Sequence, residues 1–122
     1  MISLDERIEA LDTLGRFMAQ HPQNQIDNSL EQINKHFLDP FHKSLLEAEL
    51  YNPWFTAENL HKALDSWATV LRRPQLEQWV ERYPQFPWDP ETPRTVAVIM
   101  AGNIPLVGLH DLITVLLSGH KV

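Results

Sequence analysis

The predicted fold depends on residues 95–122, TVAVIMAGNIPLVGLHDLITVLLSGHKV. This stretch begins with an unbroken apolar run over residues 95–100, rich in β-branched side chains, which is typical of a strand buried on both faces. After a break at residues 101–105, apolar residues return at helical spacing over residues 106–117. Residues 121–122 would begin a second strand. Strand, tight turn, helix and strand together predict a βαβ unit with a parallel pair of strands.

The sequence before this stretch predicts four or five helices. Ser3 and Glu6 form the pattern of a capping box, in which the Ser hydroxyl and the Glu carboxylate each accept a bond from a free backbone amide. In the later stretch, the helix predicted over residues 106–117 should end with Gly119 at its C′ position. Further helix starts are predicted at Asn28-Ser29, at Asp39-Pro40 as N-cap and first residue, at Thr56, and at Pro74 in a first helical position.

Charge and proline content divide the chain into two parts. Residues 95–122 carry two charged side chains, Asp111 and Lys121, whereas the whole chain has 10 Lys plus Arg and 16 Asp plus Glu. The boundary falls in residues 83–93, where four prolines preclude a long helix or a central strand. We therefore expect a polar helical region before this boundary and a short apolar region after it.

Composition excludes several classes of function. The net charge of −6 argues against nucleic acid as a partner, because such proteins normally carry a basic surface. The absence of Cys excludes disulfides, thiolate metal sites and a nucleophilic cysteine within this chain. Six His residues show no pair at i, i+4 spacing, so no metal site is predicted. Acidic residues near the N-terminus, Asp5 and Glu6, replace the basic region of a signal peptide, which predicts a cytoplasmic protein.

Residues 95–119 are long enough to cross a bilayer and hold a single charge, Asp111. However, the break at Gly102, Asn103 and Pro105 interrupts the run at its centre, and His110 precedes Asp111 in the second half. Such residues are costly in lipid, so no membrane span is predicted.

The break itself is the candidate binding site. It would lie at the carboxyl end of a parallel strand, where ligands bind in open α/β sheets. Gly102 lets a ligand approach the backbone, and Asn103 offers an amide donor and tolerates unusual backbone angles. Pro105 can open the next helix, whose free amides favour an anionic group. The same residues would also suit a plain strand-to-helix turn that has no ligand.

Residues 92–122, together with Asn52-Pro53-Trp54-Phe55-Thr56 and residues 63–67 (ALDSW), closely resemble the acyl-CoA reductase family. That family is related to the aldehyde dehydrogenases and includes the reductase component of bacterial luminescence fatty-acid reductase. The resemblance implies an α/β protein with two parts: residues 1–91 as an N-terminal helical region, and residues 92–122 as the truncated start of a Rossmann-like nucleotide-binding domain. Since family members run to several hundred residues, the chain is expected to be an N-terminal fragment.

The resemblance implies a reaction as well as a fold. The family reduces a fatty acyl thioester, an acyl-CoA, to an aldehyde with NADPH through an acyl-cysteine intermediate. By position in the motif, Asn103 would donate a hydrogen bond to the oxyanion as the catalytic residue. The cofactor would be bound by Met100, Ala101, Gly102, Asn103 and Pro105. This sequence departs from the family pattern in having Gly102 where an aromatic residue is usual, and the catalytic Cys lies outside it.

Two further hypotheses follow from the residues without the resemblance. The acidic surface and the Trp-rich helices would suit an independent helical protein-interaction module, and the turn at residues 101–105 would suit an anion-binding module of another chemistry. In addition, a strand with unpaired edges can pair with another chain, so self-association through residues 95–100 or 106–117 is predicted.

Overall fold

The structure, a computed structural model, describes residues 2–122 and is built from helices. Four of the five α-helices precede the proline-rich segment, and a short 3-10 helix over Asn28–Leu30 leads directly into the second of them. The helices are α1 (Leu4–Met18), α2 (Glu31–Tyr51), α3 (Ala57–Val70), α4 (Arg73–Glu81) and α5 (Leu109–Leu117). None of them combines the length and the hydropathy needed to span a bilayer.

Local sequence signals fix several helix ends as predicted. Ser3 and Glu6 form the capping box of α1, and the bond from the Ser3 backbone amide lowers the pKa of the Glu6 carboxyl. Thr56 caps α3 by accepting a bond from the backbone amide of Asn59. Both predictions are confirmed. They depend on residues three positions apart, so they need no tertiary contact.

The core lies where α1 packs against α3, α4 and α5. The approach of α1 to α3 is close at Gly15, where an added Cβ would lie 2.8 Å from the Leu71 Cβ. α5 therefore shares one core with the helices that precede the proline-rich segment. The buried residues of this core are Ile8, Leu11, Met18, Leu64, Leu71, Leu76, Ile113 and Leu117.

Arg7 joins α1 to the proline-rich segment and to α5. Its buried guanidinium donates to the carbonyl oxygens of Ile2, at 2.7 Å, and Leu117, at 3.3 Å. It also donates to the Trp88 carbonyl oxygen and to Asp89 Oδ1, the latter at 3.1 Å. The segment that carries Trp88 and Asp89 is thus held against the helices without regular structure of its own.

The α/β prediction is wrong: the described residues form no sheet and no βαβ unit. Thr95 and Lys121 form one isolated parallel bridge, in which the Val96 amide donates to the Lys121 carbonyl oxygen at 2.8 Å. The rest of residues 95–100 has no strand partner within residues 2–122. Ile99, expected inside a sheet, is 97% exposed. An apolar run forms a buried strand where neighbouring strands pair with it and helices cover both faces. Here α5 lies beside residues 96–99 with a cavity between them.

Two predicted helix starts are also wrong. Pro40 lies inside α2, which continues through Asp39 without a restart. Pro105 does not open α5, because the chain first makes turns over residues 104–109 and the helix begins at Leu109. Leu106 lies within those turns with a positive φ of 59°, a backbone conformation that no helix residue adopts.

The predicted end of α5 is confirmed. Gly119 has a φ of 81°, its amide donates to the Leu116 carbonyl oxygen, and the His120 amide donates to that of Val115. These two bonds are those of a Schellman motif with Gly119 at C′. The Trp88 carbonyl oxygen would lie 3.0 Å from a Cβ added at Gly119, so both the backbone angle and the close approach require glycine.

Candidate functional site

The turn over residues 101–105 lies against the loop between α2 and α3. The Asn52 side-chain amide donates to the Gly102 carbonyl oxygen at 2.6 Å, and the Asn52 side-chain oxygen accepts from the Trp54 amide at 3.1 Å. The Asn52 side chain therefore links the two segments, although Asn52 and Gly102 are 50 positions apart in sequence.

A cleft of about 370 Å³ opens between this turn and α3. Asn103 from the turn and Trp54 from the loop before α3 both line it, and Lys62 from α3 adds a positive charge. The Asn103 side chain is exposed. The cleft therefore combines apolar walls with two side-chain amides, one hydroxyl and one cation. Its lining consists of Trp54, Asn59, Lys62, Ala63, Ser66, Asn103, Ile104 and Pro105.

Two of the polar side chains in this lining serve the protein's own backbone. The Asn59 amide donates to the Trp54 carbonyl oxygen at 3.1 Å, which fixes the loop that precedes α3. The Ser66 hydroxyl donates to the Lys62 carbonyl oxygen at 2.9 Å, within α3. Asn103 and Lys62 are thus the side chains that the cleft would present to a bound polar group.

The structure brings some of the predicted site residues together and separates others. Asn103 and Pro105 line the cleft, whereas Gly102 lies outside the lining and accepts the bond from Asn52 through its carbonyl oxygen. Met100 lies outside the lining and packs against Gly108, where an added Cβ would lie 2.2 Å from the Met100 Cγ. Ala101 is exposed outside the cleft lining.

As placed here, residues 100–105 do not fit a dinucleotide cofactor. A phosphate site would use the free amides of a helix start, but α5 begins at Leu109, beyond residues 100–105. An added Cβ at Gly102 would meet no atom within 4 Å, so nothing in this structure demands glycine there. The resemblance implies NADPH, but the arrangement of these residues does not provide a binding site for it.

Sequence reasoning missed Asn52, Asn59 and Lys62 as parts of the site. Asn52 belongs to a segment that carries the resemblance, and this is the sequence signal that points to it. Lys62 and Asn59 occupy exposed positions of an amphipathic helix, and such positions are ordinarily just solvated. Their role depends on the placement of a turn more than 40 residues away, which no local pattern encodes.

Comparison of the chain with protein-family models, with curated proteins and with solved structures finds no match.

Proposed function

We propose that this chain forms the N-terminal part of an acyl-CoA reductase, which reduces a fatty acyl thioester to an aldehyde with NADPH. One observation supports the proposal most strongly. The segments that carry the resemblance, residues 52–67 and 92–122, are far apart in sequence but share one cleft and one direct hydrogen bond. This contact is what a common site built from both segments requires.

The reaction balances as follows. A cysteine thiolate displaces CoA from the acyl thioester, and the acyl-cysteine then accepts a hydride equivalent and a proton to give the aldehyde and the free thiol. The cysteine must come from outside these 122 residues, since they contain none. The hydride equivalent would come from NADPH held by residues other than 100–105, since their arrangement here does not fit the cofactor.

Within this scheme, Asn103 would donate its side-chain amide hydrogen to the thioester oxygen as negative charge develops there. Lys62 supplies a positive charge to the cleft, where the phosphates of a CoA thioester would be stabilised. Trp54 and Ile104 offer apolar walls against which an acyl chain can pack.

The test uses the protein encoded by the complete reading frame that contains these residues. We expect it to consume NADPH in the presence of a long-chain acyl-CoA and to release the aldehyde. Asn103→Ala should lower kcat and kcat/KM together by roughly 10²–10³, because the bond strengthens in the transition state. Asn28→Ala, at an exposed position on the 3-10 helix, is the matched control and should retain full activity.

Two results would contradict this proposal. If the protein neither oxidises NADPH nor forms aldehyde with any acyl-CoA, the reaction is wrong. If Asn103→Ala raises KM and leaves kcat unchanged, Asn103 binds the substrate and the transition state equally well. It then does not stabilise the oxyanion selectively.

The 122-residue chain alone should not become acylated. A covalent acyl-enzyme needs a thiolate nucleophile, and this chain has no Cys. Incubation with a labelled long-chain acyl-CoA, denaturation and mass spectrometry should therefore return the unmodified mass. A label released by hydroxylamine would show that another residue serves as the nucleophile.

A second candidate is the helical protein-interaction module. The observation that favours it is a group of exposed apolar side chains, Leu46, Leu50, Tyr51 and Trp54, at the end of α2 and in the following loop. Glu47 and Glu49 lie beside them, which would suit a partner with an apolar face and a basic rim. A photo-crosslinker at position 50 should capture such a partner in cells, and one at Gln32 on the same helix should not.

A further inference from the structure

A buried histidine lies outside the cleft, in the turn that follows α1. The His21 side chain is 2% exposed, and its Nε2 lies 2.8 Å from Asp65 Oδ1 of α3. A carboxylate only accepts hydrogen bonds, so the His21 Nε2 carries the hydrogen. Asn24 supports the same contact, because its side-chain amide lies 3.0 Å from Asp65 Oδ1 and 2.9 Å from the Ala19 carbonyl oxygen.

A second histidine stacks on the first. The rings of His21 and His61 lie 4.3 Å apart at an interplanar angle of 10°. The Nδ1 atoms of both rings are buried and have no hydrogen-bond partner among the described residues. A hydrogen placed on either Nδ1 would therefore be a buried donor without an acceptor, which is energetically costly.

Titratable groups from α2 and α3 surround the two histidines. α3 contributes Asp65, and α2 contributes Glu49, which lines a cavity of about 120 Å³ together with His61. His42 of α2 bonds to the carbonyl oxygen of Gln20, the residue before His21. Burial, and then the neighbouring His21, lower the pKa of His61, while Asp65 opposes this shift.

We propose that the His21–His61 stack is a proton-sensitive contact that holds the turn after α1 against α3. With His61 neutral, the two flat rings pack together while Asp65 orients the first of them. A proton on His61 adds a charge 4.3 Å from His21 and a hydrogen without an acceptor, so the turn at residues 20–26 separates from α3.

The direction of the pH dependence follows from the lowered pKa of His61. The unfolded chain binds this proton at the ordinary His value, about 6.5, and the native chain binds it at lower pH. The stabilising contribution is therefore fully present above about pH 6.5 and is lost as the pH falls toward the native pKa.

The test compares thermal unfolding between pH 8 and pH 5 for the unmodified chain, His61→Phe and His36→Gln. His61→Phe keeps a flat ring but cannot bind a proton, and the exposed His36 is the matched control. We expect the fall in Tm over this range to be about 5 °C smaller in His61→Phe than in the unmodified chain, and unchanged in His36→Gln. Equal falls in all three proteins would overturn the proposal.

A second measurement covers the case in which His61→Phe does not fold. The ring signals of His61 in the unmodified chain can be titrated by NMR, with amide exchange followed in residues 20–26. We expect a His61 pKa below 6.5, and faster exchange in the turn as the pH falls through it. A His61 pKa at or above 6.5, or exchange in the turn that does not follow it, would overturn the proposal.

Discussion

Arg7 shows how one side chain can replace secondary structure. Four acceptors converge on its guanidinium, and they come from the N-terminus, the proline-rich segment and α5. Three of them are backbone carbonyl oxygens, and these oxygens have no hydrogen-bond donor from a sheet or a helix interior. The planar fork of five N–H donors suits such convergence, whereas an ammonium group cannot reach all four positions.

We predict that Arg7→Lys lowers the free energy of unfolding by about 2–4 kcal/mol. The reason is that buried carbonyl oxygens lose their donors, and each such loss costs about 1–3 kcal/mol. Chemical denaturation at neutral pH measures the change, and Arg82→Lys, at an exposed position, should change the value by less than about 0.5 kcal/mol. Equal stabilities of the two variants would show that Arg7 does not organise this region.

Sequence reasoning succeeded for those residues whose role has a local physical cause. The capping box at Ser3, the cap at Thr56 and the positive φ at Gly119 each depend on neighbours within a few positions. Arg7 was missed because its partners Trp88, Asp89 and Leu117 are more than 80 residues away. The position of an arginine in a helical pattern does not reveal whether its side chain is solvated or buried and hydrogen-bonded to distant segments.

Among the helices, α2 departs most from the expected pattern. It runs for 21 residues, has no fully buried residue, and contains Pro40 in its interior. Proline lacks the amide hydrogen for the bond to His36 and crowds the carbonyl oxygen there, at a cost of about 3 kcal/mol. The helix nevertheless continues, with half-buried side chains such as Phe41 and Leu45 packing against the core.

Pro40→Ala should therefore stabilise the protein. We expect an increase of about 1–3 kcal/mol in the free energy of unfolding, since one backbone bond is restored and one steric clash removed. Ser44→Ala, also exposed on α2, is the control and should change stability by a few tenths of a kcal/mol. A destabilised Pro40→Ala would show that the proline fixes a bend on which the packing of α2 depends.

A second departure concerns residues 95–100. Their β-branched composition predicted a strand buried on both faces, but within residues 2–122 they form one isolated bridge, between Thr95 and Lys121, and no sheet. The pattern could not reveal how many partners the backbone would find, because strand pairing is a non-local property. Likewise, the site was predicted at a strand end, but its second wall comes from Trp54, in the loop before α3, and from Lys62 of α3.

Exposed apolar side chains are distributed unevenly over the protein surface. The most exposed apolar side chains lie in two places, the end of α2 with Leu50 at 82% and the extended segment with Ile99 at 97%. Ile99 lies beside backbone groups that no strand covers within the described residues. Unpaired extended segments of this kind readily pair with other chains.

We expect the 122-residue chain to self-associate through residues 95–100. Sedimentation equilibrium at micromolar concentration should give a mass above that of one chain, and Ile99→Lys should restore the monomer mass. Ile26→Lys introduces the same charge at an exposed apolar position elsewhere and should leave association unchanged. A monomer at all concentrations would contradict this prediction, and association that survives Ile99→Lys would place the contact elsewhere, with Leu50 as the next residue to test.

The lack of a buried residue in α2 has a consequence for how the molecule opens. A helix anchored by half-buried side chains forfeits little apolar burial when it detaches, so its opening costs less free energy than unfolding of α1, α3 and α5. Proteases that need an unfolded segment of about ten residues should therefore cut first near Lys35 or Lys43. The protein would then persist as two non-covalently associated pieces, with the core of α1, α3, α4 and α5 still intact.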